Sequence, residues 1–127
     1  MSHPAHLHAR DTSICLVSRA PLERLLAFRA EMGWSLPWYS SLGSEFNFDF
    51  NATNDDGENH VVSVFLRDGE DIYRTYYTDQ RGVEHLGSHW TYLDLTPYGR
   101  QEPWEASPEG WPKGDQHWTR RHNEYDE

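Results

Sequence analysis

Two β-rich runs joined by an Asp-Gly pair constrain this chain more than any other feature. Residues 61–67 (VVSVFLR) and 72–78 (IYRTYYT) are dense in β-branched and aromatic side chains, which suit a pleated, half-buried surface. Between them, Asp68-Gly69 provides the backbone freedom of a tight turn, so an antiparallel hairpin is expected. Its rings matter for the whole chain, because only 36% of the 127 residues are hydrophobic while 14% are aromatic, six of them Trp. Aromatic area therefore replaces much of the usual aliphatic core, and some rings stay half exposed. The length suits one domain that buries its own core.

The other elements are read from punctuation and periodicity. Residues 12–18 (TSICLVS) form a short apolar, β-branched run after polar residues and predict a buried strand. Pro21 suits the first turn of a helix, Leu22, Leu25, Leu26, Phe28 and Met32 follow at near-helical spacing, and Gly33 stands at the C-cap position. Pro37 stops that helix, and residues 38–41 (WYSS) predict a brief strand before a turn at Gly43. Residues 51–59 (NATNDDGEN) are loop chemistry. Residues 83–95 predict a helix interrupted by Gly87, stopped by Pro97 and Gly99. From residue 100 onward, repeated Pro and Gly forbid long elements. The Trp-rich tail, 100–127, is expected to wrap a core of residues 1–99 and to end in a short helix around residues 116–125.

Charge and cysteine content exclude several functions. Eleven basic against 21 acidic side chains give a formal charge of −10, of which residues 1–50 carry −1 (4 basic, 5 acidic) and residues 51–127 carry −9 (7 basic, 16 acidic). Nucleic acid and anionic membranes are poor partners for such a surface. No apolar run approaches the roughly 20 residues of a bilayer span, and no signal peptide is recognised. Cys15 is the single cysteine, so an internal disulfide, a CxxC couple and a cysteine zinc site are ruled out within this chain, and a reducing cytoplasm is the expected location. As a strand residue, Cys15 is expected to be a buried, inert thiol. His85 and His89 have the i, i+4 spacing of a metal pair, and His3, His6 and His8 cluster at the N-terminus. No His-Glu-x-x-His or cysteine partner accompanies them, so they read as surface or capping histidines and no metal or other cofactor is expected.

Candidate binding residues lie after the first two strands. Trp34, Trp38 and Tyr39 beside Ser40 and Ser41 combine an apolar wall with hydroxyl donors, as a small-ligand pocket does; the reading favoured over it is that the rings plug the core and the serines cap a strand end. Arg19 follows a strand's C-terminal end, where ligands of open α/β sheets gather, and serves there either as an anion or carboxylate contact or as a bridge to Asp11 or Glu23. The tentative ligand set is Arg19, Trp38, Tyr39, Ser40 and Ser41. No catalytic residue is assigned.

Four segments resemble a known bacterial family, domain of unknown function 899: residues 6–22 (HLHARDTSICLVSRAPL), 28–49 (FRAEMGWSLPWYSSLGSEFNFD), 62–69 (VSVFLRDG), and 92–100 (YLDLTPYGR) with the closing RHNEY at 121–125. The resemblance implies an α/β, thioredoxin-like fold and, for the family, dithiol–disulfide oxidoreductase chemistry at a Cys-Pro-Gly-Cys motif upstream of the part matched here. This chain is then the C-terminal part of that fold, strand, helix, short strand, hairpin, helix and tail, and is expected to be a truncated or non-catalytic member. Alternatively, it is a small-molecule or protein-binding module using the surface near Trp38. Where the thioredoxin pattern has a cis-proline this chain has Val61, and an ordinary trans bond is expected, since a non-proline cis peptide costs about 3 kcal/mol. The implied first strand would lie between residues 12–18 and 61–67. Without it the gap closes by direct pairing, by insertion of residues 3–8, or by a second copy, and a homodimer is expected.

Overall fold

The computed structural model describes residues 3–116 and 118–125. The chain divides into two compact units, Met1–Val83 and Glu84–Glu127, so residue 99 falls inside the second. The first unit holds α1 (Ala5–His8), β1 (Leu16–Ser18), α2 (Leu22–Glu31), β2 (Trp38–Ser40), α3 (Phe46–Asp49), β3 (Thr53–Asn54), β4 (Gly57–Glu58), β5 (Val61–Asp68) and β6 (Asp71–Asp79). A four-residue helix, α4 (Arg81–Glu84), leads out of it, and α5 (Ser88–Asp94) belongs to the second unit.

β1 and β2 pair in parallel, Leu16 opposite Trp38 and Ser18 opposite Ser40, and α2 connects them. Pro21 caps α2 and Gly33, at φ +66°, ends it, as the punctuation predicts. Leu25 and Phe28 of α2 and Met32, its C-cap residue, fall on one face, three and four residues apart. Leu25 and Met32 are the buried hydrophobics among the described residues. Phe28 meets Trp34 and Trp38 edge-on at 5.5 and 6.1 Å, and the two indoles stack at 5.9 Å, so rings complete the core that two aliphatics begin.

β1 is shorter than the expected strand over residues 12–18. Its partner β2 is only three residues long and is preceded by Pro37, whose carbonyl accepts from the Leu16 amide but which has no N–H to extend the ladder. Cys15 therefore lies just ahead of the paired segment and is exposed, contrary to its expected burial.

The hairpin forms as expected, with Asp68 opposite Asp71 and Gly69 at φ +61°. The register slips once, between Val64/Tyr76 and Phe65/Arg74, which leaves Thr75 as a bulge in β6. No peptide bond among the described residues is cis, Val61 included. The sheets remain three separate two-stranded ribbons, β1–β2, β3–β4 and β5–β6. Neither intrachain closure of the implied gap occurs: β1 and β5 do not pair, and residues 5–8 form a helix instead of an inserted strand.

In the second unit the helix expected over 83–95 is interrupted, and Gly87 marks the break. A Cβ there would come within 2.6 Å of the Trp90 ring, so the indole lies where only glycine leaves room. Arg100 ties this unit together. Its guanidinium grips Asp94 at 2.7 and 2.8 Å, bonds Glu84, and sits 5.0 Å over the Trp90 ring. The short helix expected at 116–125 is not formed in the described residues 116 and 118–125; His117 lies outside them. Side chains satisfy the backbone locally instead, the Arg120 amide donating to Tyr125 Oη and the Arg121 amide to Glu124 Oε2.

Candidate functional site

The two parallel strands end together. The Ser41 amide donates to the Ser18 carbonyl at 2.9 Å, so the loops leaving β1 (Arg19, Ala20) and β2 (Ser41, Leu42) run side by side at the carboxyl end of the pair. Crevices outside such strand ends are where open α/β sheets place ligands.

Arg19 is the charged group in this position. Its guanidinium carbon lies 4.8 Å over the Phe48 ring, which holds the plane by a cation–π contact. Nη1 donates to Glu58 Oε1 at 3.3 Å, and the other Glu58 oxygen accepts from Thr53 Oγ1 at 2.8 Å. Arg19 Nε is buried and has no hydrogen-bond partner. The ion pair is long and wet, with Glu58 61% exposed, so it is worth about 0–1 kcal/mol. A guanidinium seated on a ring, with its side chain 37% exposed and its salt bridge weak, is suited to contact an oxyanion through its Nη groups. The expected partners Asp11 and Glu23 are not those that bond it; Glu58, 39 residues away, is.

The two serines are occupied within the protein. Ser40 Oγ donates to the Ala20 carbonyl at 2.7 Å and accepts from the Leu42 amide at 3.2 Å, pinning the two loops together. Ser41 Oγ donates to Asn47 Oδ1 at 2.7 Å, and both residues are 5% exposed. They hold the loops at this strand end and offer little to a ligand. Strand alternation separates the two aromatic candidates. Trp38 turns toward α2 with Trp34, its Nε1 buried without a partner, whereas Tyr39 lies on the opposite face, 58% exposed, opposite Val17 in the register. The expected wall of Trp34, Trp38 and Tyr39 is thus two surfaces, one where the 42% exposed Trp34 stacks on Trp38 and one that carries Tyr39.

Sequence reasoning missed Asn47, Phe48, Thr53 and Glu58. Asn47 and Phe48 sit in an aromatic run that signals packing, and Glu58 in a polar stretch that reads as loop; no spacing rule links them to Arg19. A separate open hollow of about 300 Å³ is lined by His8, Asp11, Thr12 and Ser13, all exposed, with no buried polar group to orient a ligand. The histidines do not converge either. His3 Nδ1 accepts from the Ala5 amide, His89 packs on Trp90 at 4.5 Å, and among the described residues no three His, Cys, Asp or Glu side chains are placed to hold a metal.

These features define a small mixed α/β protein with an arginine site at the end of a parallel strand pair. The chain belongs to a family of bacterial proteins of unknown function (DUF899), whose family model matches residues 1–125. No curated protein and no solved structure matches the chain. Among the described residues no helix is long and apolar enough to cross a membrane.

Proposed function

We propose that this chain is a non-catalytic, thioredoxin-like member of its family that binds a small carboxylate-bearing ligand at Arg19. The supporting observation is Arg19 itself: a guanidinium at the carboxyl end of a parallel strand pair, seated on Phe48, 37% exposed and held by one weak ion pair. Ligand carboxylate displaces Glu58 from Nη1 and pairs with the Nη groups, while Glu58 keeps its bond to Thr53. Tyr39 and Val17 supply the nearby open apolar surface. Disulfide exchange, by contrast, needs one thiolate to attack and a second thiol to resolve the mixed disulfide, and this chain has Cys15 alone.

The test is a titration of the ¹⁵N-labelled chain with succinate, against sodium chloride at equal ionic strength. The Arg19 Nε–H signal and the amides of residues 19–20 and 41–42 should move saturably with succinate only, and Arg19→Ala should abolish the effect. Equal shifts with chloride, or unchanged shifts in Arg19→Ala, would contradict the proposal.

A further inference from the structure

The hairpin presents two unlike faces, and the bulge at Thr75 makes them so. Alternation along β5 places Val62, Val64 and Leu66 on one face and Val61, Ser63, Phe65 and Arg67 on the other. Across the ladder Val62 faces Thr78, Val64 faces Tyr76 and, past the bulge, Leu66 faces Tyr73. Without the extra residue, Arg74 would fall on the face of Tyr76, and Tyr73 on the other. The bulge moves Arg74 beside Phe65, where it lies 5.7 Å from the Phe50 ring and 5.0 Å from that of Tyr77, and Phe50 covers Phe65 at 5.1 Å. It also puts Tyr73 in line with Tyr76. The result is one face covered by Phe50 and carrying the hairpin's arginines, and one face of Val64, Leu66, Tyr73 and Tyr76, which are 44%, 57%, 53% and 50% exposed.

We infer that this second face is the contact surface of a two-fold homodimer. Three observations favour a second copy as the occupant. The face carries no charge except Asp68 and Asp71 at its tip, so it suits its own copy despite a net charge of −10. Two such faces packed about 10 Å apart with their hairpins antiparallel would also separate the acidic tips by about 27 Å, the length of an eight-residue strand and well beyond the ~8 Å screening length. Area points the same way. At about 150–250 Å² per aromatic side chain, the open halves of Tyr73 and Tyr76 leave roughly 200 Å² of ring in water. With Leu66 and Val64 they supply roughly the apolar half of the ~800 Å² each partner brings to a stable interface. An isolated two-stranded ribbon is marginal in water, so the contact also stabilises the hairpin itself.

Light scattering on the full chain across a hundredfold range of concentration tests this. The parent should show twice 14.9 kDa, dissociating only at the lowest concentrations. Leu66→Lys should raise the dimer dissociation constant at least 100-fold, whereas Ile72→Lys, on the opposite face and 68% exposed, should leave it within threefold. Tyr76→Ser repeats the test with a milder change, and circular dichroism checks that each variant keeps its fold. A monomeric parent overturns the inference. So does a dimer that persists in folded Leu66→Lys and Tyr76→Ser, or one that Ile72→Lys disrupts equally.

Discussion

Replacing Ser41 by Ala should destabilise the first unit through one hydrogen bond. The Ser41 hydroxyl is 2.7 Å from Asn47 Oδ1, and both residues are 5% exposed, so water is poorly placed to replace the lost donor. The backbone bond from the Ser41 amide to the Ser18 carbonyl survives in alanine, and the change in volume is small. The cost is therefore that of an orphaned buried amide oxygen, about 1–3 kcal/mol. With a urea dependence of about 1–3 kcal/mol per molar, the unfolding midpoint should fall by roughly 1 M. Urea titration followed by tryptophan fluorescence, at fixed protein concentration, reads the shift. Asn47→Ala should cost a similar amount, and the double variant should cost at least about 1 kcal/mol less than the sum, because the two groups share one bond. Additive losses, or a midpoint unmoved by Ser41→Ala, would refute the reasoning. A folded Ser41→Ala chain that no longer bound succinate would show instead that the hydroxyl serves the ligand.

Two further outcomes follow from single groups. Cys15 should react fully with Ellman's reagent in the native state, since it is exposed ahead of β1; a thiol that reacts only in denaturant would contradict the placement. Arg100, by its two hydrogen bonds, holds the Asp94 carboxyl below its ordinary 3.8. The unfolded chain therefore takes up that proton first, so the stabilisation is present above about 3.8 and fades as pH falls toward the lower folded value. Thermal melts between about pH 5 and pH 2 should be less steep in Asp94→Asn than in the parent, and identical slopes would count against the ion pair.

Local chemistry made the middle of the chain legible. Pro21 and Gly33 bracket α2, and Asp68-Gly69 marks the hairpin, because each signal acts within a few residues. The bulge at Thr75 left no such mark: an alternating IYRTYYT run reads equally well in either register, and the choice is settled by Phe50 packing between Phe65 and Arg74. The length of β1 was hidden for a related reason, since strand ends depend on the partner, and β2 is short. At the candidate site the position of Arg19 after a strand was visible, but its neighbours Phe48 and Glu58 are 29 and 39 residues further along. The hydroxyls of Ser40 and Ser41 resembled ligand groups because sequence does not show the carbonyl of Ala20 or the amide of Asn47 waiting for them.

The most direct measurement of the central claim is an insulin disulfide-reduction assay with dithiothreitol as reductant. A chain with one thiol forms at most a mixed disulfide that it does not resolve, so the rate should equal that of buffer, and Cys15→Ser should behave like the parent. Acceleration by the parent that disappears in Cys15→Ser would contradict the account and restore a redox function to this chain.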